Sequence, residues 1–203
     1  GPRSRVGRAI GQSNLEVVET RQMTVPLLHR HDATDIFLSG RIPGGYGWLF
    51  PKNDTANLGV GVEHGARALL RDLLDGLHRQ LIAEGRIGKN VLGYTGGLIP
   101  VGGRLDPIGL LGQVPVLLAG DAAGLANPVT GAGIASAVIS GTLAGEAAAQ
   151  WIDGNSNSLA NFESELSALF DGALNRALKR RRDLLSCYGR GGPAPTDLRQ
   201  SWI

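Results

Sequence analysis

Hydrophobic positions in the first third of the chain come in short alternating runs. From Leu15 to Val62, "LEVVETRQMTVPLL", "TDIFLS", "GYGWLF" and "ANLGVGVE" are rich in β-branched and aromatic residues and divided by turn residues. That pattern predicts strands. The period then changes. Leu70, Leu73, Leu74, Leu77 and Leu81 follow one helical face, with Arg67, Arg71, Asp75 and Arg79 largely elsewhere, which predicts a helix over Ala66–Ile82. "NVLGYTGGLIPVGG" reads as a strand broken by glycines, and "VPVLLAG" as a buried strand. Small residues fill a predicted helix over Ala132–Ile152. After the turn "DGNSNS", a last amphipathic helix runs from Leu159 with Phe162, Leu166, Leu169 and Ala173 inward. The tail "GRGGPAPTD" is dense in turn residues and reads as loose. There is no internal repeat.

Two stretches stand out against this background. In "PGGYGWLFPK", Pro43 to Lys52, residues two apart share a strand face, so Tyr46, Trp48 and Phe50 form one wall. With "KNDT" as a hairpin loop, Phe50 pairs with Asn57, Trp48 with Gly59 and Tyr46 with Gly61. Large rings opposite absent side chains predict a groove, whereas a slip of one residue would bring in Leu58, Val60 and Val62 and fill it. Plain core is the competing reading of such a face.

The other stretch is "GDAAGLANPVTGAGIASA", Gly120 to Ala137, directly after "VPVLLA". Strand, acid, small-residue loop, helix is the layout of a ligand site at the carboxyl end of a strand. A helix starting near Ala132 has free N–H groups and a positive dipole end at Gly131, Ala132 and Gly133. Asp121 could accept hydrogen bonds from a ligand hydroxyl. Gly133, Ala137, Gly141 and Gly145 make a flat stripe that a planar group or another backbone could approach. Alternatively, Asp121 caps a turn and the stripe serves helix packing. "GAGIAS" lacks the third glycine of a dinucleotide fingerprint and follows a loop; there is no Walker motif.

Composition narrows the classes. With 203 residues, 42% apolar and 19% charged, the chain suits one good-sized domain or two small ones. Its 31 glycines far exceed the usual share of about 7%. A net charge of +2 gives no strong case for a nucleic-acid partner. The basic run Lys179–Arg182 reads as a solvated helix end, with anionic lipid heads as the sharper alternative. Cys187 is the single cysteine, so no intrachain disulfide or cysteine metal site can form, which fits a reducing cytosol. No targeting segment is visible, and no apolar run approaches the roughly 20 residues of a spanning helix. His29, His31 and Asp32 have metal-like spacing but no identifiable third ligand, so the expected metal set is empty. Glu63, His64 and His78 read as solvated. No general acid and no Ser-His-Asp arrangement stands out.

The block "LLAGDAAGLANPVTGAGIASAVISGTLAGEAAA" resembles the second flavin-contact motif of FAD-dependent oxidoreductases of the p-hydroxybenzoate hydroxylase type, and within them the geranylgeranyl reductase family. That resemblance implies an FAD site at Gly120, Asp121, Ala122, Pro128, Gly131, Ala132, Gly133 and Ile134. Asp121 would hold a ribityl hydroxyl, Pro128 would lie beside the isoalloxazine, and Gly131 to Gly133 would point N–H groups at flavin N1 and O2. Reduced flavin is negative near N1, and a fixed helix terminus suits it. "P-x-x-Y-x-W-x-F-P" resembles that family's signature at Pro43, Tyr46, Trp48, Phe50 and Pro51. The resemblance implies that this strand, with Gly59 and Gly61, lines an isoprenoid cavity. Lys52, "ANLGVGV" and "GGLIPVGG" (Gly96 to Gly103) are also similar.

The resemblance covers nearly the whole chain but only the later part of the family, without its first strand and G-x-G-x-x-G turn. "GPRSRVGRAIG" matches the place of an Asp-Gly pair with the Asp lost, so the chain reads as a C-terminal portion of a flavoprotein; a cloning remnant at Gly1–Pro2 is the weaker idea. The expected fold is α/β, α+β in this fragment. Residues 1–14 would be a remnant of a Rossmann-like FAD domain and 15–105 an antiparallel β-sheet substrate domain with helix 66–82. Residues 106–152 would be the second part of the FAD domain and 153–203 a helical segment and tail. The implied function is a flavin-dependent reductase saturating double bonds of geranylgeranyl or other isoprenoid chains, inactive as a fragment. NAD(P)H or a ferredoxin-like donor would be the reductant and a prenyl lipid the substrate. The expected location is cytoplasmic, with peripheral membrane contact. An FAD-dependent aromatic monooxygenase and a non-catalytic isoprenoid-binding module are the alternatives.

Overall fold

Alternation decides which way each strand faces. In the computed structural model, which describes residues 1–202, β1 (Val17–Pro26), β2 (Asp35–Phe37), β3 (Tyr46–Lys52), β4 (Thr55–Glu63) and β5 (Gly93–Pro100) form one sheet. Its order is β2-β3-β4-β1-β5. The β1–β4, β2–β3 and β3–β4 pairs are antiparallel. Met23, Val25, Leu49, Leu58, Val60 and Val62 belong to one buried cluster, which Leu70, Leu74 and Leu81 of α2 (Leu70–Ala83) complete. The predicted helix is therefore present, although a 3-10 segment, His64–Leu69, precedes its α-helical part. The turn between β3 and β4 is shorter than "KNDT": Lys52 already pairs with Thr55, and Asn53 takes the left-handed φ of 54° that the tight turn needs.

The chain divides into two units. One holds Val18–Leu98 and the segment from Asp183 onward; the other holds Gly1–Val17 and Ile99–Arg182. The segment expected as one C-terminal piece is thus shared between them. Residues read as a loose tail form α6 (Pro195–Gln200), which starts on a proline and buries Leu198. Within the sheet unit, the Tyr188 hydroxyl donates to the Ile42 carbonyl at 3.0 Å.

The other unit contains α1 (Arg5–Ala9), the antiparallel hairpin β6 (Ile108–Leu111) and β7 (Val114–Leu117), α3 (Ile134–Ile152), α4 (Ser158–Leu166) and most of α5 (Gly172–Tyr188). Leu118, Ala123, Leu125, Ala147, Phe162, Leu166 and Leu174 make its core. "VPVLLAG" is not the buried strand expected. β7 pairs only with β6, and Val114 is 63% exposed, because a two-stranded ribbon covers little of its own surface. The last helix also departs from a constant period. A π turn, Ser167–Asp171, separates α4 from α5 and absorbs one extra residue. Leu169 is consequently 55% exposed and Ala173 exposed, while Leu174, Ala177 and Arg181 face inward. Among the described residues, no helix is long and apolar enough to cross a membrane.

Candidate functional site

The chain leaves β7 through Leu118 and turns at Gly120, whose φ of 53° and whose approach to Ala137 suit glycine. A Cβ there would come within 2.9 Å of the Ala137 Cβ. The Gly120 N–H donates to the Ser140 hydroxyl at 2.9 Å, tying the strand end to α3. Asn14 reaches in from far along the chain and donates to the Asp121 carbonyl at 3.0 Å. Asp121 and the start of α3 are brought together: a Cβ on Gly133 would stand 3.1 Å from the Asp121 Oδ1. The Asp121 side chain is half-buried, as is that of Ala122.

The loop before α3 closes on Asn127. Its side-chain oxygen accepts from the N–H of Val129 at 2.9 Å and of Thr130 at 3.0 Å. Its backbone accepts from the Gly131 N–H and donates to the Ala132 carbonyl, both at 2.8 Å. The Ala132 N–H is capped by the Thr130 hydroxyl at 3.2 Å. Two of the three N–H groups assigned to a ligand by resemblance, those of Gly131 and Ala132, are therefore engaged inside the loop. The helix begins at Ile134, two residues later than its pattern suggested, because the loop's own bonds hold Thr130 to Ala132 out of the helix. Gly133 is its N-cap without a side-chain cap, and Ile134 is 86% exposed. The orphan donors thus belong to the first turn from Gly133 onward. Pro128, assigned beside a ring, is buried, and its carbonyl accepts from Arg181 Nη1 at 3.4 Å.

The glycine stripe splits. Gly133 and Ala137 face the acid loop, whereas a Cβ on Gly141 or Gly145 would meet nothing within 4 Å. This cradle fits a flavin in its chemistry. It combines an uncapped helix start, an adjacent carboxylate able to accept from hydroxyls, and one glycine, Gly133, where a side chain would crowd the acid.

In the sheet unit the expected register holds: Phe50 opposite Asn57, Trp48 opposite Gly59, Tyr46 opposite Gly61. The rings share one face, Tyr46 and Trp48 edge-on at 5.7 Å and Trp48 and Phe50 stacked at 5.9 Å. The groove expected above the glycines is not open. A Cβ on Gly59 would lie inside the Trp48 indole. That ring, 8% exposed, occupies the space itself, with its N–H donating to Gln22 Oε1 at 3.0 Å. Tyr46 is crossed on its other side by Trp202 at 4.9 Å, and burial pushes its hydroxyl pKa up. Pro43, Phe50 and Pro51 are half-buried, and Gly59 and Gly61 are buried.

A cavity of about 630 Å³ opens elsewhere in this unit, along Leu27 to Thr34 and the Pro51–Asp54 turn. His31 at its edge bonds Asp35 at 2.8 Å, and Asp35 is also paired with Arg86, whereas Asp32 pairs with Arg30, so the three residues noted in the sequence do not form one set. Among the described residues no group of three His, Cys, Asp or Glu could hold a metal. His64, expected in solvent, is exposed and pairs there with Glu19 at 3.2 Å. His78 is half-buried on α2.

Sequence reasoning missed Asn14, Gln22, Arg181 and Trp202. Only Arg181 had a signal: it lies seven residues after Leu174 on α5, on the same helical face.

Residues 17–97 match the family model described as the geranylgeranyl reductase catalytic domain. The chain is 37% identical over 132 residues to the digeranylgeranylglycerophospholipid reductase of Methanococcus vannielii, covering 64% of this chain and 33% of that protein. A relative named digeranylgeranylglycerophospholipid reductase 2, from Methanosphaera stadtmanae, is 35% identical over 178 residues, covering 82% and 43%. The chain thus spans a third to under a half of these relatives. A geranylgeranyl bacteriochlorophyll reductase-like structure from Thermoplasma acidophilum superimposes with a TM-score of 0.72 at 26% identity, covering 83% of this chain and 44% of that one. The fold is shared further with PqsL of Pseudomonas aeruginosa, a probable FAD-dependent monooxygenase, at a TM-score of 0.62 and 20% identity over 91% and 54% of the two chains.

Proposed function

Given that this chain belongs to the geranylgeranyl reductase family, we propose that the protein of which it forms part saturates double bonds in the prenyl chains of a lipid, with FAD as the hydride carrier. The observation that carries the reading is the meeting of Asp121 with an uncapped, glycine-lined helix start in one unit. The other unit adds the aromatic face of β3.

When bound, reduced FAD supplies a hydride to one carbon of the double bond, and a proton completes the other. The residues of this chain bind and orient. Asp121 would accept from a ribityl hydroxyl of bound FAD. The N–H groups at the start of α3, from Gly133 onward, would supply fixed donors that stabilise negative charge on a bound flavin with little reorganisation. Gly120 and Asn14 hold that acid loop in place. Tyr46 and Phe50 offer apolar surface to an isoprenoid, and Trp48 is the packed support beneath them, fixed by Gln22. NAD(P)H or a ferredoxin-like donor would supply the reducing equivalents. A membrane-borne substrate brings the protein to a lipid surface, and the exposed Lys179, Arg180 and Arg182 are suited to anionic head groups.

Full-length protein carrying chemically reduced FAD, incubated anaerobically with a geranylgeranyl lipid, should yield products heavier by two hydrogens per reduced bond by mass spectrometry. Oxygen consumption coupled to NAD(P)H oxidation on an aromatic compound would point to a monooxygenase. A colourless preparation that retains prenyl lipid would point to a binding module. Absence of saturation with every polyprenyl lipid tried would overturn the reading.

A further inference from the structure

The hairpin of β6 and β7 buries its root and bares its tip. Ile108, Val116 and Leu117 pack against the core of their unit. Beyond them Leu111 pairs with Val114 across the tight turn Gly112–Gln113, where Gly112 takes a φ of 65°. Leu110 is 63% exposed, Leu111 52% and Val114 63%. Leu110 and Leu111 are adjacent in a strand and so project to opposite faces of the ribbon. No charged side chain occurs between Asp106 and Asp121. Turns in water ordinarily carry polar residues, and clustered exposed apolar side chains mark an interaction surface.

The segment beside the tip is basic. A Cβ on Gly109 would stand 2.7 Å from Ile10 Cδ1, so the ribbon lies directly on the residue that follows α1. Leu111 and its partner Val114 share the face of Gly109 and therefore the α1 side. Arg3, Arg5 and Arg8 are exposed, as is Val6. No ion pair among the described residues engages these arginines. Aliphatic side chains next to unpaired cations match a bilayer with anionic head groups, where apolar groups enter the acyl boundary and cations stay at the phosphates. Apolar groups on both faces of the tip suit a medium that surrounds it better than a partner that covers one side. The basic run of α5 offers cations alone, since α5 exposes no large apolar side chain.

We propose that the β6–β7 tip and the arginines around α1 form a docking surface for an anionic lipid bilayer. Leu110, Leu111 and Val114 insert at the acyl boundary, and Arg3, Arg5 and Arg8 meet the phosphates. The proposal deepens the lipid-substrate reading above and rests on it. From Val114 the chain reaches Gly120 in at most about 20 Å, so a docked tip keeps the Asp121 loop near the surface that holds the substrate.

The test uses full-length protein, sedimentation with vesicles of phosphatidylglycerol and phosphatidylcholine, and two double variants: Leu111→Ser with Val114→Ser, and Arg5→Gln with Arg8→Gln. Each should weaken vesicle binding at least about tenfold while melting like the parent without lipid. The parent should bind less at high salt and less to phosphatidylcholine alone. Saturation of a prenyl lipid carried in vesicles should fall with binding, whereas saturation of the same lipid dispersed in detergent should not change. Parent protein that ignores anionic vesicles overturns the proposal, and so do serine variants that bind as the parent does. A serine variant that melts lower without lipid, or fails to fold, overturns it too, because the tip is then covered by another part of the full-length protein. No saturation of the detergent-dispersed lipid by parent protein sinks the reductase reading instead, while vesicle binding still decides the docking surface.

Discussion

Gly59 shows how much one absent side chain can specify. The indole of Trp48 rests where its Cβ would be, and the indole N–H is satisfied by Gln22. A glycine inside a strand costs backbone entropy and β-propensity, so the position is held by packing. Gly59→Ala should displace the ring, break the bond to Gln22, and destabilise the sheet unit by about 1–3 kcal/mol, the usual range for overpacking. Chemical denaturation gives the loss, and the near-ultraviolet circular dichroism of the indole reports the displacement. An unchanged midpoint and spectrum would mean the ring has room to spare. The pairing of Trp48 with Gly59 was legible in the sequence, because a two-residue period and a short turn leave one register that buries Leu58, Val60 and Val62. That the gap would be filled from within was not, since strand periodicity gives the face of a ring and not the rotamer that lays it over its neighbour.

Elements with a steady period were readable and those with a local irregularity were not. The leucine face of α2 could be read directly. The helical stretch after Ser158 defeated the same method because its π turn shifts every later residue by one place, moving Leu169 and Ala173 outward and Leu174 and Arg181 inward. Asp171 ends that turn, and what holds it there is electrostatic. Its carboxylate accepts from Arg104 Nε at 2.6 Å and Nη2 at 3.0 Å and from the Ser167 hydroxyl at 2.7 Å. The Arg104 hydrogen bond holds its pKa below the ordinary carboxylate value, against the opposing effect of burial. A depressed pKa stabilises the fold above the unfolded value of about 3.9 and is lost as pH falls through the folded one. Asp171→Asn should therefore cost about 1–3 kcal/mol near neutral pH, with the gap to the parent protein closing below about pH 4. Urea titrations at pH 7, 5 and 3.5 would read this. A gap that stays constant across the series would show that the turn is held by packing.

At the scale of the whole molecule, each unit has its own apolar core, and the sheet unit draws on the far end of the chain. Its candidate aromatic face begins at Tyr46, yet the ring across Tyr46 belongs to Trp202. Glycine and proline made the tail read as loose. In the fold, Pro195 opens α6, Asp197 accepts from the Ala194 N–H at 2.8 Å, and Leu198 and Ser201 are buried. A six-residue helix has too short a period to announce itself in sequence; its stability comes from what it packs on. Ending the chain at Arg182 would remove the Tyr188 bond to Ile42, the burial of Leu198 and the Tyr46–Trp202 contact together. Those terms are worth about 1 kcal/mol for the hydrogen bond, about 2 for the leucine and about 1 for the ring pair, and the ordering entropy of the segment works against them. A net loss of about 2–3 kcal/mol is expected, confined to the sheet unit. Hydrogen–deuterium exchange should then quicken across β3 and β4, where Tyr46 and its partner Gly61 lie, while α3 and α4 keep their protection. Unaltered exchange in both strands would mean that the segment lies on the sheet without stabilising it, and Trp202 would drop out of any account of the aromatic face.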